Sequence, residues 1–171
     1  MPDLHLDLKG KNIAWVDPSS SSGFIIPKAS LIHKKKIDPD GFFGKQVFSG
    51  AHDALVLAVL NGTVDAGATF CNDADGGDGA WNQFLKGDDA KKIRVLFVTD
   101  PITGDTMATS RKFRSTHKDI VDKTVNILID MGKDEEGRKI LKALYRIDGM
   151  VPAKSEEYNS VREAAKALHI D

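Results

Sequence analysis

Residues 11–23 read KNIAWVDPSSSSG: a short apolar stretch, an Asp-Pro pair, four serines and a glycine. The apolar part, Lys11–Asp17, is rich in strand-forming residues and is closed by a proline, which is typical of a buried strand that ends in a turn. Phe24–Lys35 follows with helical periodicity. With Ser22 as N-cap, Pro27 lies near the start of this helix and not deep inside it, where a proline would break the helix. The stretch therefore predicts a strand, a serine-rich turn and a helix in direct succession.

The next eighty residues repeat this alternation of strand and helix. Gln46–Ser49 and Val64–Phe70 have the composition of strands, and Lys92–Thr99 (KIRVLFVT) is the clearest strand pattern in the chain. Ala51–Asn61 is apolar on all sides, which predicts a fully buried helix. The order predicts an α/β fold with a mixed, mostly parallel sheet and helices on both faces.

The pattern changes after Asp100. A turn-rich segment is followed by Thr106–Phe113, whose composition favours one more strand. Three helices are predicted beyond it: His117–Met131, Lys133–Leu144 and Ser155–Leu168. We therefore expect a sheet-containing part followed by a mainly helical C-terminal segment.

Charge and composition exclude several classes of partner. The 171 residues carry 24 basic and 25 acidic side chains, so nothing indicates the clustered basic surface that nucleic acid or an anionic membrane requires. Cys71 is the only cysteine, which rules out a disulfide within the chain. Met1–Lys11 lacks the apolar core of a signal peptide, so we expect a cytosolic protein or one whose leader has been removed.

The serine turn, Asp17–Gly23, has the composition of an anion-binding loop. A turn between a strand and a helix presents backbone N–H groups and serine hydroxyls to one point, and the helix dipole adds about half a positive charge there. Such a site suits a tetrahedral oxyanion without Lys or Arg. A plain N-cap with a flexible serine loop explains the same residues equally well at this point. The P-loop pattern GxxxxGK[ST] is absent.

Two further residues end or follow predicted strands, where ligands bind in α/β sheets. His52 opens the second helix, and the positive helix end favours a neutral imidazole that donates one N–H. Asp100 ends the fourth predicted strand, and its carboxylate would select partly protonated oxyanions or an aminoalkyl tail. A surface histidine and an Asp-Pro turn cap are the plainer interpretations of these two residues.

Other chemistries fit the sequence poorly. A serine with His52 and Asp100 suggests a small hydrolase, but the GxSxG elbow is absent and a run of four serines singles out no nucleophile. The acidic loop after Cys71 begins like a calcium loop, yet Phe84 stands at the twelfth position, where a bidentate Glu is needed. These comparisons favour ligand binding over catalysis.

Three stretches resemble the phosphonate-, phosphite- and phosphate-binding proteins of ABC importers. They are DLKGKNIAWVDPSSSSG (Asp7–Gly23), GAHDALVLAVLNGTVDAGA (Gly50–Ala68) and the ending Gly137–Leu168, which contains IDGMVPA and VREAAKAL. The resemblance covers nearly the whole chain from Leu8. It implies a periplasmic-binding-protein-like lobe, a phosphorus oxyanion as ligand, an ABC permease as partner, a periplasmic or cell-envelope location, and no cofactor or metal.

The resemblance assigns ligand-binding roles to five residues. Ser20, Ser21 and Ser22 match the family's Ser-Thr-Ser grip on the oxyanion, with Ser21 in place of the usual Thr. His52 matches the oxyanion-binding histidine, and Asp100 matches the carboxylate near the ligand. A ligand-sensing regulatory domain of the same fold is the alternative function.

Members of this family have two lobes, and the resemblance implies that the chain corresponds to the second. Residues 8–101 are expected to form the oxyanion-binding lobe, and residues 102–171 the segment that in the family returns to the first lobe. The resemblance also implies that most of that first lobe is missing here, including aromatic side chains that complete the site, so we expect weak binding. The apolar surface left uncovered on the C-terminal segment favours homodimerisation.

Overall fold

The computed structural model of the protein describes residues 8–104 and 106–170, which form two compact units. The first unit contains residues 8–102 and 158–170, and the second is Thr103–Glu157. This division lies one residue beyond the predicted boundary after residue 101. It also differs at the C-terminus, because the last helix packs within the first unit and not with the other C-terminal helices.

The first unit is built around a sheet of three short parallel strands in the order β2-β1-β3. The strands are β1 (Ile13–Trp15), β2 (Gln46–Phe48) and β3 (Ala66–Gly67). They lie within the first three strands that the sequence predicts. Because all three run in the same direction, their carboxyl ends share one edge of the sheet.

Helices make up most of the regular structure of the described residues. They are α1 (Ile26–His33), α2 (Pro39–Phe42), α3 (His52–Leu60), α4 (Ala80–Phe84), α5 (Arg111–Thr116), α6 (Lys118–Met131), α7 (Glu135–Tyr145) and α8 (Asn159–Ala167). A π-helical turn, Ser21–Ile25, leads directly into α1, and 3-10 turns span Gly87–Lys92 and Ser155–Tyr158. None of these helices combines the length and apolar character that a bilayer span requires.

Successive residues of β1 contribute to two cores, one on each face of the sheet. Ala14 packs with residues of α3 and α4, while Ile13 and Trp15 pack with residues of α1 and α2. This alternation is the two-residue period of a strand. The expected α/β architecture, with helices on both faces of a parallel sheet, is therefore confirmed.

The prediction that the helix at Ala51–Asn61, which is α3 in the structure, is fully buried is wrong. In α3 only Leu55 and Val56 are buried, and the side chain of Leu57 is 45% exposed. The reason is the size of the sheet: three strands of two or three residues cover one side of the helix and leave the other to solvent.

The two later strand predictions are also wrong. No strand occurs in Lys92–Thr99 or Thr106–Phe113 among the described residues. Partly buried apolar side chains of residues 93–97 pack against both cores without joining the sheet. In the second segment, the hydroxyl of Ser110 accepts the N–H of Phe113 at 3.1 Å and starts α5 instead.

The second unit contains α5, α6 and α7. Its buried apolar side chains are few, and Val121 and Leu141 are the main ones. Several large apolar side chains of these helices and of the segment after them are exposed: Ile127 (61%), Leu144 (68%), Tyr145 (64%) and Val151 (83%). The predicted helices of this region are thus present, with a substantial apolar surface in contact with solvent.

Candidate functional site

Two turns meet at the carboxyl edge of the sheet through Val16, the residue after β1. The N–H of Val16 donates to the carbonyl of Gly23 at 3.1 Å, and its carbonyl accepts the N–H of Gly50 at 2.8 Å. The N–H of Ser49 also donates to the carbonyl of Trp15, at 2.8 Å. The serine turn and the turn before His52 are therefore tied to the same strand end, as the parallel order of β1 and β2 predicts.

The N-cap of the serine turn is Ser20, two residues before the predicted Ser22. The hydroxyl oxygen of Ser20 accepts the N–H of Gly23 at 3.1 Å. Its carbonyl accepts the N–H groups of Phe24 and Ile25 at 3.1 and 3.0 Å. The second of these bonds spans five residues, so the helix opens with a π turn, a widening that is frequent at functional sites.

Pro27 and Gly23 explain the wide turn. A proline ring inside a helix clashes with the carbonyl four residues earlier, which here belongs to Gly23. That carbonyl instead accepts the N–H of Val16. A Cβ atom on Gly23 would lie 2.4 Å from both Cβ and Cγ2 of Val16, so only glycine allows this approach of the turn to the strand.

The turn leaves a group of hydrogen-bond donors without partners. Within the described residues, neither the backbone N–H groups nor the hydroxyls of Ser21 and Ser22 are bonded. Ser20 accepts at its oxygen and has its own hydroxyl proton to donate. All three side chains are partly exposed. The arrangement can therefore offer several donors to one small acceptor.

Ser19 differs from its neighbours because both of its donors are used. Its N–H and hydroxyl donate to Oδ1 of Asp17 at 2.9 and 2.5 Å. These bonds hold the pKa of the Asp17 carboxyl below its ordinary value of 3.8. The carboxylate is thus paired with Ser19. The hydroxyls of Ser20–Ser22 and the backbone N–H groups of Ser21 and Ser22 are left available.

His52 is the first residue of α3 and is half-buried. Its Nδ1 lies 2.7 Å from the hydroxyl oxygen of Thr69, and its ring meets that of Phe70 edge to face at 4.9 Å. Burial lowers the pKa of His52 below 6.5, and the charge of Asp53 opposes this effect. The imidazole is therefore neutral at neutral pH. Among the described residues, Nε2 of His52 has no hydrogen-bond partner. Every side-chain nitrogen of this kind that lacks a partner is accessible to solvent, so Nε2 reaches solvent.

The N-terminus of α3 adds two backbone donors. Ala51 at the N-cap position supplies no side-chain acceptor, and within residues 8–104 and 106–170 the N–H groups of His52 and Asp53 have no partner. The carboxylate of Asp53 accepts the N–H of Ala54 at 2.8 Å. Its negative charge counts against a dianion at this helix end, whereas the helix dipole favours an anion.

Asp100 lies away from the serine turn. Its carboxylate is exposed and forms an ion pair with Lys34, which follows the last residue of α1. The helical run from Ser21 to Lys34 is about 20 Å long at 1.5 Å per residue. Asp100 is displaced because residues 93–99 do not join the sheet and so do not end at its edge. Of the predicted site residues, the serine turn and the turn before His52 are tied to one strand end, whereas Asp100 pairs with Lys34 at the other end of α1.

The neighbouring Lys35 also has a specific contact. Its Nζ lies 4.6 Å from the ring centroid of Phe97, a cation–π arrangement. The C-terminal end of α1 therefore contacts residues 97–100 through one ion pair and one cation–π contact.

Sequence reasoning did not identify Thr69 as a partner of His52. Nothing in its local sequence distinguishes it from other threonines. Its only signal is its place shortly after β3, the third parallel strand, whose end lies at the same edge of the sheet.

Comparison with known sequences decides the family. The family described as "ABC transporter, phosphonate, periplasmic substrate-binding protein" matches residues 5–158. The chain belongs to this family. Its members are periplasmic substrate-binding components of ABC transporters, in agreement with the resemblance noted from the sequence.

Two curated members of the family are similar to the chain. The phosphate-import protein PhnD of Mycolicibacterium smegmatis is 28% identical over 170 residues, which cover 91% of this chain and 50% of the relative. The phosphonates-binding periplasmic protein of Escherichia coli K12 is 27% identical over 128 residues, which cover 75% of this chain and 35% of the relative. The chain thus spans half or less of the length of these relatives.

Solved structures show the same fold. PhnD1 of Prochlorococcus marinus in complex with methylphosphonate superposes with a TM-score of 0.71 at 19% identity, covering 100% of this chain and 62% of that one. XAC2383 of Xanthomonas citri bound to chloride ion superposes with a TM-score of 0.61 at 16% identity, covering 99% and 62%. At these identities the likeness establishes the periplasmic-binding-protein fold.

Proposed function

We propose that the chain is a solute-binding component of ABC-type import and recognises a phosphorus oxyanion, namely phosphonate, phosphite or phosphate, through Ser20–Ser22 and His52. One observation carries the proposal. The N–H groups and hydroxyls of Ser21 and Ser22 have no partner among the described residues, at the positive end of a helical run and beside the strand end that also anchors the turn before His52. An anion bound there would satisfy these donors.

The charge pattern supports recognition by hydrogen bonds. The donors are backbone N–H groups, serine hydroxyls and a neutral imidazole, while Asp53 adds one negative charge nearby. Such a site favours an anion of low charge that accepts many hydrogen bonds. All of these donors lie at one edge of one sheet, so they contact the ligand from one side. We therefore expect a dissociation constant of about 1 mM, equivalent to about −4 kcal/mol.

The contacts of His52 support binding without chemistry. A serine nucleophile that uses a histidine as its base needs that histidine within hydrogen-bond reach. Here Nδ1 of His52 is bonded to Thr69, and among the described residues no hydrogen bond joins His52 to Ser20, Ser21 or Ser22. The proposal is therefore a binding site in which no bond is made or broken.

Calorimetric titration with phosphate, phosphite, methylphosphonate and 2-aminoethylphosphonate tests the proposal. Ser22→Ala removes one hydroxyl donor to a charged acceptor, so we expect a loss of about 1.5–3 kcal/mol, or about 10- to 150-fold in affinity. Ser19→Ala is the matched control, because the hydroxyl of Ser19 is bonded to Asp17. Equal losses in the two variants, or no binding of any of the four anions by the wild type, would contradict the proposal.

The partner and location are part of the same proposal. By its family, the chain delivers its ligand to an ABC permease and acts in the periplasm. Co-purification with the permease encoded beside its gene, with and without phosphate, tests the first point. Fractionation of cells that express the native gene tests the second.

Self-association is a separate proposal, supported by the apolar side chains exposed on the second unit. Leu144 and Tyr145 of α7 and Ile127 of α6 are each more than 60% exposed. A second copy of the chain is proposed to cover them. Sedimentation velocity should show a dimer that Leu144→Lys converts to a monomer. A wild type that stays monomeric at a chain concentration of about 100 μM, at which even a weak dimer should form, would exclude the proposal.

A further inference from the structure

The contact between His52 and Thr69 raises the question of which imidazole nitrogen carries the proton. A neutral histidine has one N–H donor and one acceptor nitrogen, and the partner of one nitrogen determines the state of the other. An oxyanion can accept a hydrogen bond only from a protonated nitrogen. In the proposed site, the nitrogen that reaches solvent is Nε2. The proton must therefore lie on Nε2 for a neutral His52 to contribute.

The surroundings of Thr69 favour this arrangement. Its hydroxyl lies 2.7 Å from Nδ1 and has no other partner within the described residues, so its proton is available to that nitrogen. Nδ1 is also the ring nitrogen nearer the backbone, at the positive end of α3, which disfavours a proton there. Both effects direct the imidazole proton to Nε2.

The loop after β3 holds the ring in place. Thr69 contacts Nδ1, and Phe70 packs edge to face against the ring at 4.9 Å. The chain reaches this position because the N–H of Ala68 bonds to the carbonyl of Ala14 at 3.1 Å, next to the pairing of β3 with β1. One short segment therefore sets both the orientation and the hydrogen-bonding state of His52.

We propose that Thr69 is the positioning residue of the oxyanion site: its hydroxyl donates to Nδ1 of His52 and so keeps the proton on Nε2, where it is offered to the ligand. The inference rests on the proposed oxyanion-binding function. It makes Thr69 part of the recognition machinery although it does not touch the ligand. It also accounts for recognition by a histidine that is uncharged.

The test combines a spectroscopic measurement with a binding measurement on the full chain at pH 7.5. Nitrogen-15 chemical shifts distinguish a protonated imidazole nitrogen from one with a lone pair. In the wild type without ligand, we expect the proton of His52 on Nε2. Thr69→Val keeps the shape but removes the hydroxyl, so we expect a mixture of tautomers and an affinity for phosphate about three- to tenfold weaker. Thr69→Ser should restore both wild-type properties.

Each outcome has a defined meaning. A wild-type proton on Nδ1, or a Thr69→Val variant with unchanged tautomers, overturns the positioning role of Thr69. Thr69→Val with mixed tautomers but wild-type affinity overturns it as well, because recognition would then not depend on the tautomer. If the wild type binds neither phosphate, phosphite nor methylphosphonate, the proposed function fails, and the shifts of the ligand-free protein still decide whether Thr69 sets the tautomer. Fluorescence of Trp15 and Trp81 in urea checks that each variant is folded.

Discussion

Replacing Gly23 by Ala should separate the serine turn from the strand end. The added Cβ would lie 2.4 Å from two carbon atoms of Val16, whereas carbon atoms in contact are normally about 3.5–4.0 Å apart. The turn must therefore move by more than about 1 Å, which weakens the hydrogen bond from Val16 to residue 23. Overpacking of this kind costs about 1–3 kcal/mol, and the better helix propensity of Ala returns up to about 1 kcal/mol. We expect a net loss of about 1–2 kcal/mol in the free energy of unfolding.

Urea unfolding followed by tryptophan fluorescence measures this loss. Trp15 and Trp81 are the only tryptophans, and both are buried in the first unit, so the signal reports on the unit that contains the turn. For a protein of this size the loss corresponds to a melting temperature lower by about 2–8 °C. The same variant should also bind phosphate more weakly, because the donors of Ser21 and Ser22 move with the turn.

Gly41→Ala is the matched control for this experiment. Gly41 is an exposed residue of α2, and the nearest atom to an added Cβ, Oδ2 of Asp38, lies at an ordinary 3.7 Å. This change should stabilise the protein by up to about 1 kcal/mol through helix propensity. If Gly23→Ala is as stable as the wild type, or if both substitutions destabilise it equally, then close approach to Val16 does not define the turn.

Three further predictions concern charges around the site. Asp53→Asn removes the charge that raises the pKa of His52, so that pKa should fall further by NMR titration, and calorimetry should show phosphate bound about two- to fivefold more tightly. Asp100→Asn breaks an exposed ion pair with Lys34, so the free energy of unfolding measured in urea should fall by less than about 1 kcal/mol and the phosphate affinity should stay unchanged. A loss of phosphate affinity would indicate that Asp100 contacts the ligand. Because burial lowers the folded-state pKa of His52 below 6.5, the unfolded chain binds this proton first as the pH falls. The contribution of neutral His52 to the free energy of unfolding is therefore present above about pH 6.5 and is lost as the pH falls through the folded-state pKa. In urea titrations at pH 8 and pH 5, the wild type should lose more stability at the lower pH than His52→Gln does.

The part of the fold that the sequence predicted correctly is the part encoded locally. The strand that contains Ile13–Trp15, the serine turn and the helix after it follow one another within about two dozen residues, and each has its own pattern of apolar, polar and turn residues. The α/β class follows from repetition of that pattern. The N-cap was predicted at Ser22 and found at Ser20, because four consecutive serines are equivalent by local preference.

The wrong strand predictions have a physical cause in common. An apolar, β-branched segment such as Lys92–Thr99 favours an extended and buried backbone, but a strand also needs a neighbour for its hydrogen bonds. Here β3 has only two residues and pairs with β1, and the apolar side chains of residues 93–97 pack, partly buried, against the two cores. Asp100, which was predicted at the sheet edge, follows this segment and pairs with Lys34 instead.

The sequence by itself determined the class of fold, the serine turn at the end of the first strand and the presence of His52 at the start of a helix. Tertiary structure alone decided which of these elements are linked. Val16 joins the two turns through backbone hydrogen bonds, and Thr69 reaches His52 across seventeen positions of sequence. Both relations depend on the order of parallel strands, because strands distant in sequence bring their carboxyl ends to one edge only when they pair. Local patterns carry no information about that pairing, and this is why Thr69 was missed and why Asp100 was expected at the end of a strand.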